Sequence, residues 1–215
     1  MKKTKHLHII AEHRSGSTSY VDILRQNEGI FEPWADISPE AHRYGLGIWY
    51  VDEFTHSNSD TWTDVEMQNI NKIITQISQS KERRIFKTMF RDDQNLNDET
   101  KERLYSLNSD KIVLMRRNKF EQTLSHIIED KEHNIHISPS EFSRRYEKII
   151  QNFKLMMIFA KANNYKIEWY EDIPFEENKH INYFKKKSRP KGELVTNLED
   201  LIMRYYKESV YKDTE

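Results

Sequence analysis

Two hydrophobic spacings recur along the chain. Short apolar runs stand at Leu7-His8-Ile9-Ile10-Ala11, Arg84-Ile85-Phe86-Lys87-Thr88-Met89-Phe90, Lys111-Ile112-Val113-Leu114-Met115 and Tyr165-Lys166-Ile167-Glu168-Trp169-Tyr170. Their length and β-branched or aromatic content predict strands. Between them, apolar residues return every three or four positions, the period of a helix with one buried face. Trp62, Val65, Ile70, Ile73, Ile74 and Ile77 form one such series behind a candidate N-cap at Asp60. A helix over 97–107 opens on acidic residues, and one over 119–132 carries Phe120, Leu124, Ile127 and Ile128 on one side. Ser138-Pro139-Ser140-Glu141 is a capping box with proline at the first helical position. The long helix behind it turns Phe142, Tyr146, Ile149, Ile150, Phe153, Met156, Met157 and Ala160 inward, and a terminal helix starts near Asn197. Strands alternating with helices predict an α/β fold, three layers α/β/α with a central, mostly parallel sheet covered on both faces.

The first strand breaks into Ala11-Glu12-His13-Arg14-Ser15-Gly16-Ser17-Thr18-Ser19-Tyr20, small hydroxyl residues around one glycine, and resumes as Val21-Asp22-Ile23-Leu24. This is strand, loop, helix. Gly16 lets the backbone turn without a Cβ clash, and the N–H groups of Ser17, Thr18 and Ser19 then converge at a positive helix end, which suits phosphate or sulfate. A plain turn with an N-cap has the same composition. Ala11 stands where a Walker A loop has its first glycine, and no Lys-Ser/Thr follows Gly16, so the main sequence support for an ATP or GTP site is missing. The cation comes first, as Arg14.

Composition narrows the choice. The 215 residues, 36% of them hydrophobic and 12% aromatic, suffice for one sizeable core without a Pro/Gly/Ser-rich linker, so a single domain over 1–215 is expected. With 34 Lys and Arg against 35 Asp and Glu, the net charge of −1 predicts no general attraction to nucleic acid or a membrane surface. The absence of cysteine excludes disulfides, thiolate metal sites and cysteine catalysis. The apolar run after Met1-Lys2-Lys3 is too short for a signal-peptide core, and no stretch approaches a membrane span, so a cytoplasmic protein is expected. His6 with His8, and His133 with His136, lack the further ligands of a metal site, and none is expected.

Arg14-Ser15-Gly16-Ser17-Thr18 after a strand resembles the 5′-phosphosulfate loop of sulfotransferases that use 3′-phosphoadenosine-5′-phosphosulfate (PAPS). Two further segments resemble the same family in the same order. Arg117 at a strand end with Ser125 eight residues on, within Leu114-Met115-Arg116-Arg117-Asn118-Lys119-Phe120-Glu121-Gln122-Thr123-Leu124-Ser125, is similar to its 3′-phosphate segment. Tyr170-Glu171-Asp172-Ile173 follows the later strand. The resemblance covers residues 6–172, with weaker support from Val195-Thr196-Asn197. It implies a P-loop-like sulfotransferase fold of the soluble bacterial or viral kind, PAPS as donor, and 3′,5′-adenosine bisphosphate as product. The donor-binding residues it implies are Arg14, Ser15, Gly16, Ser17, Thr18, Ser19, Arg117 and Ser125.

Sulfuryl transfer needs in-line attack by a hydroxyl or amine and stabilisation of the charge that flows to the leaving phosphate. Arg14 suits that charge and stays protonated, so it does not act as a proton donor. Glu32, in Gly29-Ile30-Phe31-Glu32-Pro33, resembles the family's glutamate after the first crossover and is the expected general base; an exposed loop glutamate reads the same. His13 is the rival base, or a donor to the phosphosulfate. Lys87 resembles a family lysine that approaches the sulfate, although a snorkelling surface lysine has the same pattern. Tyr170, Glu171 and Asp172 are expected to buttress the loop through hydrogen bonds. The basic run 185–191, with Ser188, Arg189 and Lys191, is a solvated face or a loop that closes over the nucleotide. The expected activity is PAPS-dependent transfer to a hydroxyl, or less readily an amine, of a carbohydrate or small molecule. The acceptor and the oligomeric state are open. A P-loop-type kinase and a non-catalytic module that binds a phosphorylated or sulfated ligand are the alternatives.

Overall fold

The structure is a computed structural model in which residues 5–27, 64–81, 83–128, 134–173 and 194–206 are described. Glu32, the segment 38–61, the helix start at Asp60 and Trp62, and the basic run 185–191 lie outside the described residues.

In chain order the elements are β1 (His6–Ala11), α1 (Ser17–Asn27), α2 (Asp64–Gln79), β2 (Ile85–Met89), α3 (Phe90–Asp93), α4 (Asp98–Tyr105), β3 (Ser109–Met115), α5 (Lys119–Ile127), α6 (Pro139–Ala162), β4 (Lys166–Trp169), a 3-10 turn (Tyr170–Asp172) and α7 (Leu198–Tyr205). The four strands form one parallel sheet in the order β2-β1-β3-β4. β1 pairs with β2 in parallel, Leu7 opposite Ile85 and Ala11 opposite Met89. Every residue of β1 and β2 is buried, so both faces of these strands are covered, as their continuous apolar runs require. The fold is α/β.

Several boundaries differ from those expected. β2 stops at Met89 because Phe90 opens the short helix α3, whose last residue, Asp93, is buried where it accepts the Thr88 hydroxyl at 2.5 Å and the Tyr105 hydroxyl at 2.7 Å. α5 ends at Ile127 with Ile128 as its C-cap, short of 132. The last strand is trimmed to 166–169 because Tyr170 already belongs to the 3-10 turn.

The chain divides into two compact units, one of residues 1–12 and 21–113, the other of residues 13–20 and 114–215. In the first unit, Ile70, Ile73, Ile74 and Ile77 of α2 pack with Phe86, Leu96, Leu104 and Leu107, so the helical spacing seen in the sequence is spent on a core. In the second, Phe120, Leu124 and Ile127 of α5 meet Phe142 of α6 and Leu201 of α7. Asn197 ties the last helix to this core: its side chain accepts the Ile137 N–H at 3.1 Å and donates to the Ile137 carbonyl at 2.8 Å. Ser138 caps α6 by accepting the Glu141 N–H at 3.2 Å.

Candidate anion site at the start of α1

The loop after β1 contains two left-handed residues, Arg14 at φ 60 and Gly16 at φ 82. The left-handed region costs glycine little, whereas an L side chain such as that of Arg14 is disfavoured there. The turn delivers the chain into α1, whose first intrahelical bond is Tyr20 N–H to the Gly16 carbonyl at 3.0 Å. The N–H groups of Ser17, Thr18 and Ser19 therefore precede any intrahelical acceptor, and no acidic residue stands in the first turn to complement them. Arg14 is exposed, whereas Ser15 is fully buried with no hydrogen-bond partner for its Oγ among the described residues. A buried hydroxyl without a partner is unfavourable unless something else supplies one.

What holds this loop comes from the ends of β3 and β4. A Cβ on Gly16 would lie 2.1 Å from a ring carbon of Tyr170, so the tyrosine ring occupies the space that any other residue would need. The Arg116 guanidinium lies 4.8 Å from the centroid of the same ring, and its Nη1 donates to the Arg14 carbonyl at 3.4 Å. From α5, Gln122 Nε2 donates to the His13 carbonyl at 2.9 Å, and the rings of His13 and His126 stack with centroids 6.3 Å apart. Behind the loop the Tyr20 hydroxyl donates to Glu168, and burial followed by this carboxylate raises the Tyr20 pKa far above its ordinary value.

Glu171 and Asp172 act elsewhere. The Glu171 carboxylate accepts the N–H groups of Arg117 and Asn118, each at 2.9 Å, at the entry to α5. Asp172 takes the Arg117 guanidinium in a bidentate pair at 2.6 and 3.0 Å, and that hydrogen bonding holds its carboxyl below the usual carboxylate range. Arg117 also lies over the Trp169 ring, 4.6 Å from the centroid. For Glu171 and Asp172 the expected buttress of the loop is thus corrected. Tyr170 supports Gly16 through its ring, and the two carboxylates bond the β3–α5 junction instead, because three consecutive residues of a 3-10 turn point in different directions.

A scan against models of known protein families finds no match, and a search among curated proteins finds no significant relative.

Of the residues singled out in the sequence, Arg14, Ser15, Gly16, Ser17, Ser19, Arg117 and Ser125 belong to one compact unit, as does the backbone of Thr18. Ser125 is half-buried on α5. Lys87 belongs to the other unit, buried at the centre of β2 opposite Ile9. Glu32 is outside the described residues. Two contributors to the loop were not singled out: Arg116 and Gln122. The tandem Arg116-Arg117 was the available signal, since consecutive residues leaving a strand project to opposite sides, so the two arginines meet different partners. Among the described residues, no three His, Cys, Asp or Glu gather to hold a metal ion.

Proposed function

We propose that the chain is a PAPS-dependent sulfotransferase with a three-layer, P-loop-like α/β/α fold, acting on a hydroxyl, or less readily an amine, of a carbohydrate or small molecule. The observation that carries the proposal is the fully buried, unpartnered Ser15 Oγ in a left-handed loop that opens α1 without an acidic residue in its first turn. A tetrahedral anion supplies what these groups lack: an acceptor for the hydroxyl and for the N–H groups of Ser17, Thr18 and Ser19, and negative charge at the positive helix end.

When bound, the donor supplies a sulfuryl group already activated on a phosphate leaving group. The loop amides and the Ser15 hydroxyl would orient its 5′ end, and Arg14 would balance the charge that develops there while remaining protonated. Arg117 and Ser125 are the proposed 3′-phosphate contacts, reached from the end of β3 and from α5. The Asp172 carboxylate now on Arg117 is 60% exposed, so water can solvate it when a phosphate takes the guanidinium. Glu32 is the proposed proton acceptor, with His13 as its rival. The acceptor's proton would pass to the base as its oxygen or nitrogen bonds to sulfur and the bond from sulfur to the bridging oxygen breaks.

Isothermal titration with 3′,5′-adenosine bisphosphate tests the proposal, with ATP and adenosine 5′-phosphate as controls. Tight binding of the bisphosphate is expected, weakened by Arg14→Ala and by Arg117→Ala. With PAPS and an accepted substrate, Arg14→Ala should slow transfer by about 100- to 1,000-fold, the usual effect of removing one charge-stabilising group. No binding of the bisphosphate, or equal binding of ATP, sinks the proposal.

A further inference from the structure

Arg116 is the cation at this loop that the resemblance leaves without a task. Its neighbour Arg117 holds the Asp172 carboxylate on both arms of its guanidinium fork. Arg116 does not. Its side chain is only 14% exposed, yet among the described residues its nearest carboxylate oxygen, Oε2 of Glu121, is 4.0 Å away, at the outer limit of an ion pair. Its Nη1 makes a long bond of 3.4 Å to the Arg14 carbonyl, and its Nε is buried with no partner. It also lies over the face of Tyr170, at 4.8 Å from the centroid.

A guanidinium withdrawn from water is strongly disfavoured unless an anion or good acceptors replace the lost hydration. Here it is also held against the loop that opens α1, whose own end is positive. The carbonyl that Nη1 touches belongs to the peptide leading directly into Ser15, the residue whose buried Oγ also lacks a partner. Two unsatisfied polar groups, one cationic and one a hydroxyl, thus flank the same peptide. Each lacks what an oxyanion would provide.

We infer that Arg116 and the Ser15 hydroxyl bind a phosphate- or sulfate-type oxyanion at the start of α1, with Arg116 as a second cation, beside Arg14, for the 5′ end of the donor. The inference rests on the reading of this loop as the donor's anion site. In this arrangement Tyr170 is a positioning residue: its ring lies under the guanidinium and on Gly16, so it sets the distance between the cation and the loop.

Inorganic pyrophosphate is the probe, because it offers linked tetrahedral anions without a nucleoside. Titrations at low ionic strength would compare wild type, Arg116→Gln, Arg116→Lys, Ser15→Ala and the charge-matched control Arg144→Gln, an exposed position on α6. Arg116→Gln should weaken pyrophosphate about 10- to 100-fold, the scale of a charge-assisted hydrogen bond. Ser15→Ala should weaken it less, Arg144→Gln should leave it unchanged, and Arg116→Lys should recover part of the loss. The lysine variant and a thermal melt of each protein separate loss of the anion contact from loss of the fold. Equal affinity in wild type and Arg116→Gln, or no pyrophosphate binding by the wild type, overturns the inference. If pyrophosphate binds through Arg116 but 3′,5′-adenosine bisphosphate binds no more tightly, the oxyanion site stands and the PAPS reading falls.

Discussion

At position 16 one methyl group would meet two obstacles at once. The backbone is left-handed, which costs an L residue about 1–2 kcal/mol, and the Tyr170 ring stands 2.1 Å from where the methyl would be. Overpacking against a rigid ring typically adds about 1–3 kcal/mol. Gly16→Ala should therefore destabilise the protein by about 2–5 kcal/mol in urea unfolding. In a Tyr170→Ala background the cost should fall to the backbone part, about 1–2 kcal/mol. Equal costs in both backgrounds would mean that the ring does not press on the glycine. Position 16 was legible as a turn because a glycine among hydroxyl residues after an apolar run has few other uses. The ring above it was not, since Tyr170 is distant in sequence and no local pattern pairs them.

Among the elements, the helix starts followed their sequence signals most closely. Asn97 accepts the Thr100 N–H at 2.8 Å, Asn118 that of Glu121 at 2.9 Å, and Ser138 that of Glu141 at 3.2 Å. Capping is local, so a few residues carry the whole instruction. The entry to α5 has an additional, non-local support in Glu171, which accepts the two N–H groups just before the helix. Glu171→Ala should leave α5 formed through its Asn118 cap while exposing these donors. Hydrogen exchange at the Arg117 and Asn118 amides should then accelerate relative to that at the Leu124 amide. Unchanged protection would show that the carboxylate is dispensable there. Helix ends were less legible: α5 stops at Ile127 although apolar spacing continues to Ile128, because spacing alone does not specify a stop.

For the molecule as a whole, the buried histidine of β1 links fold to pH. The Thr88 hydroxyl has one proton, given to Asp93, so His8 donates to Thr88 through Nε2 at 2.9 Å and keeps Nδ1 as an unpartnered acceptor. Burial, with Lys111 as a smaller contributor, pushes its pKa from 6.5 down to about 3. The unfolded chain consequently takes up a proton that the folded one refuses. The sign follows: stability from His8 is fully present above pH 6.5 and is lost as pH falls from there toward 3, by up to about 1.4 kcal/mol per pH unit. Burial shifts His6 in the same direction, so the two act together. His8→Gln should flatten the fall in unfolding free energy across this window. An identical slope in wild type and variant would assign the acid sensitivity to other groups.

Periodicity and punctuation determined which stretches are strands and helices, that the central strands are covered on both faces, and that a glycine turn opens α1. These properties rest on interactions within a few residues or on the burial preference of a whole run. Only the tertiary structure decided the strand order β2-β1-β3-β4, the partners of Tyr170, Glu171 and Asp172, and which of two adjacent arginines meets the loop. The physical reason is directional. A sequence motif specifies residue types and spacing, whereas the side of a strand end to which a guanidinium turns depends on the carboxylates and rings that distant segments bring to it.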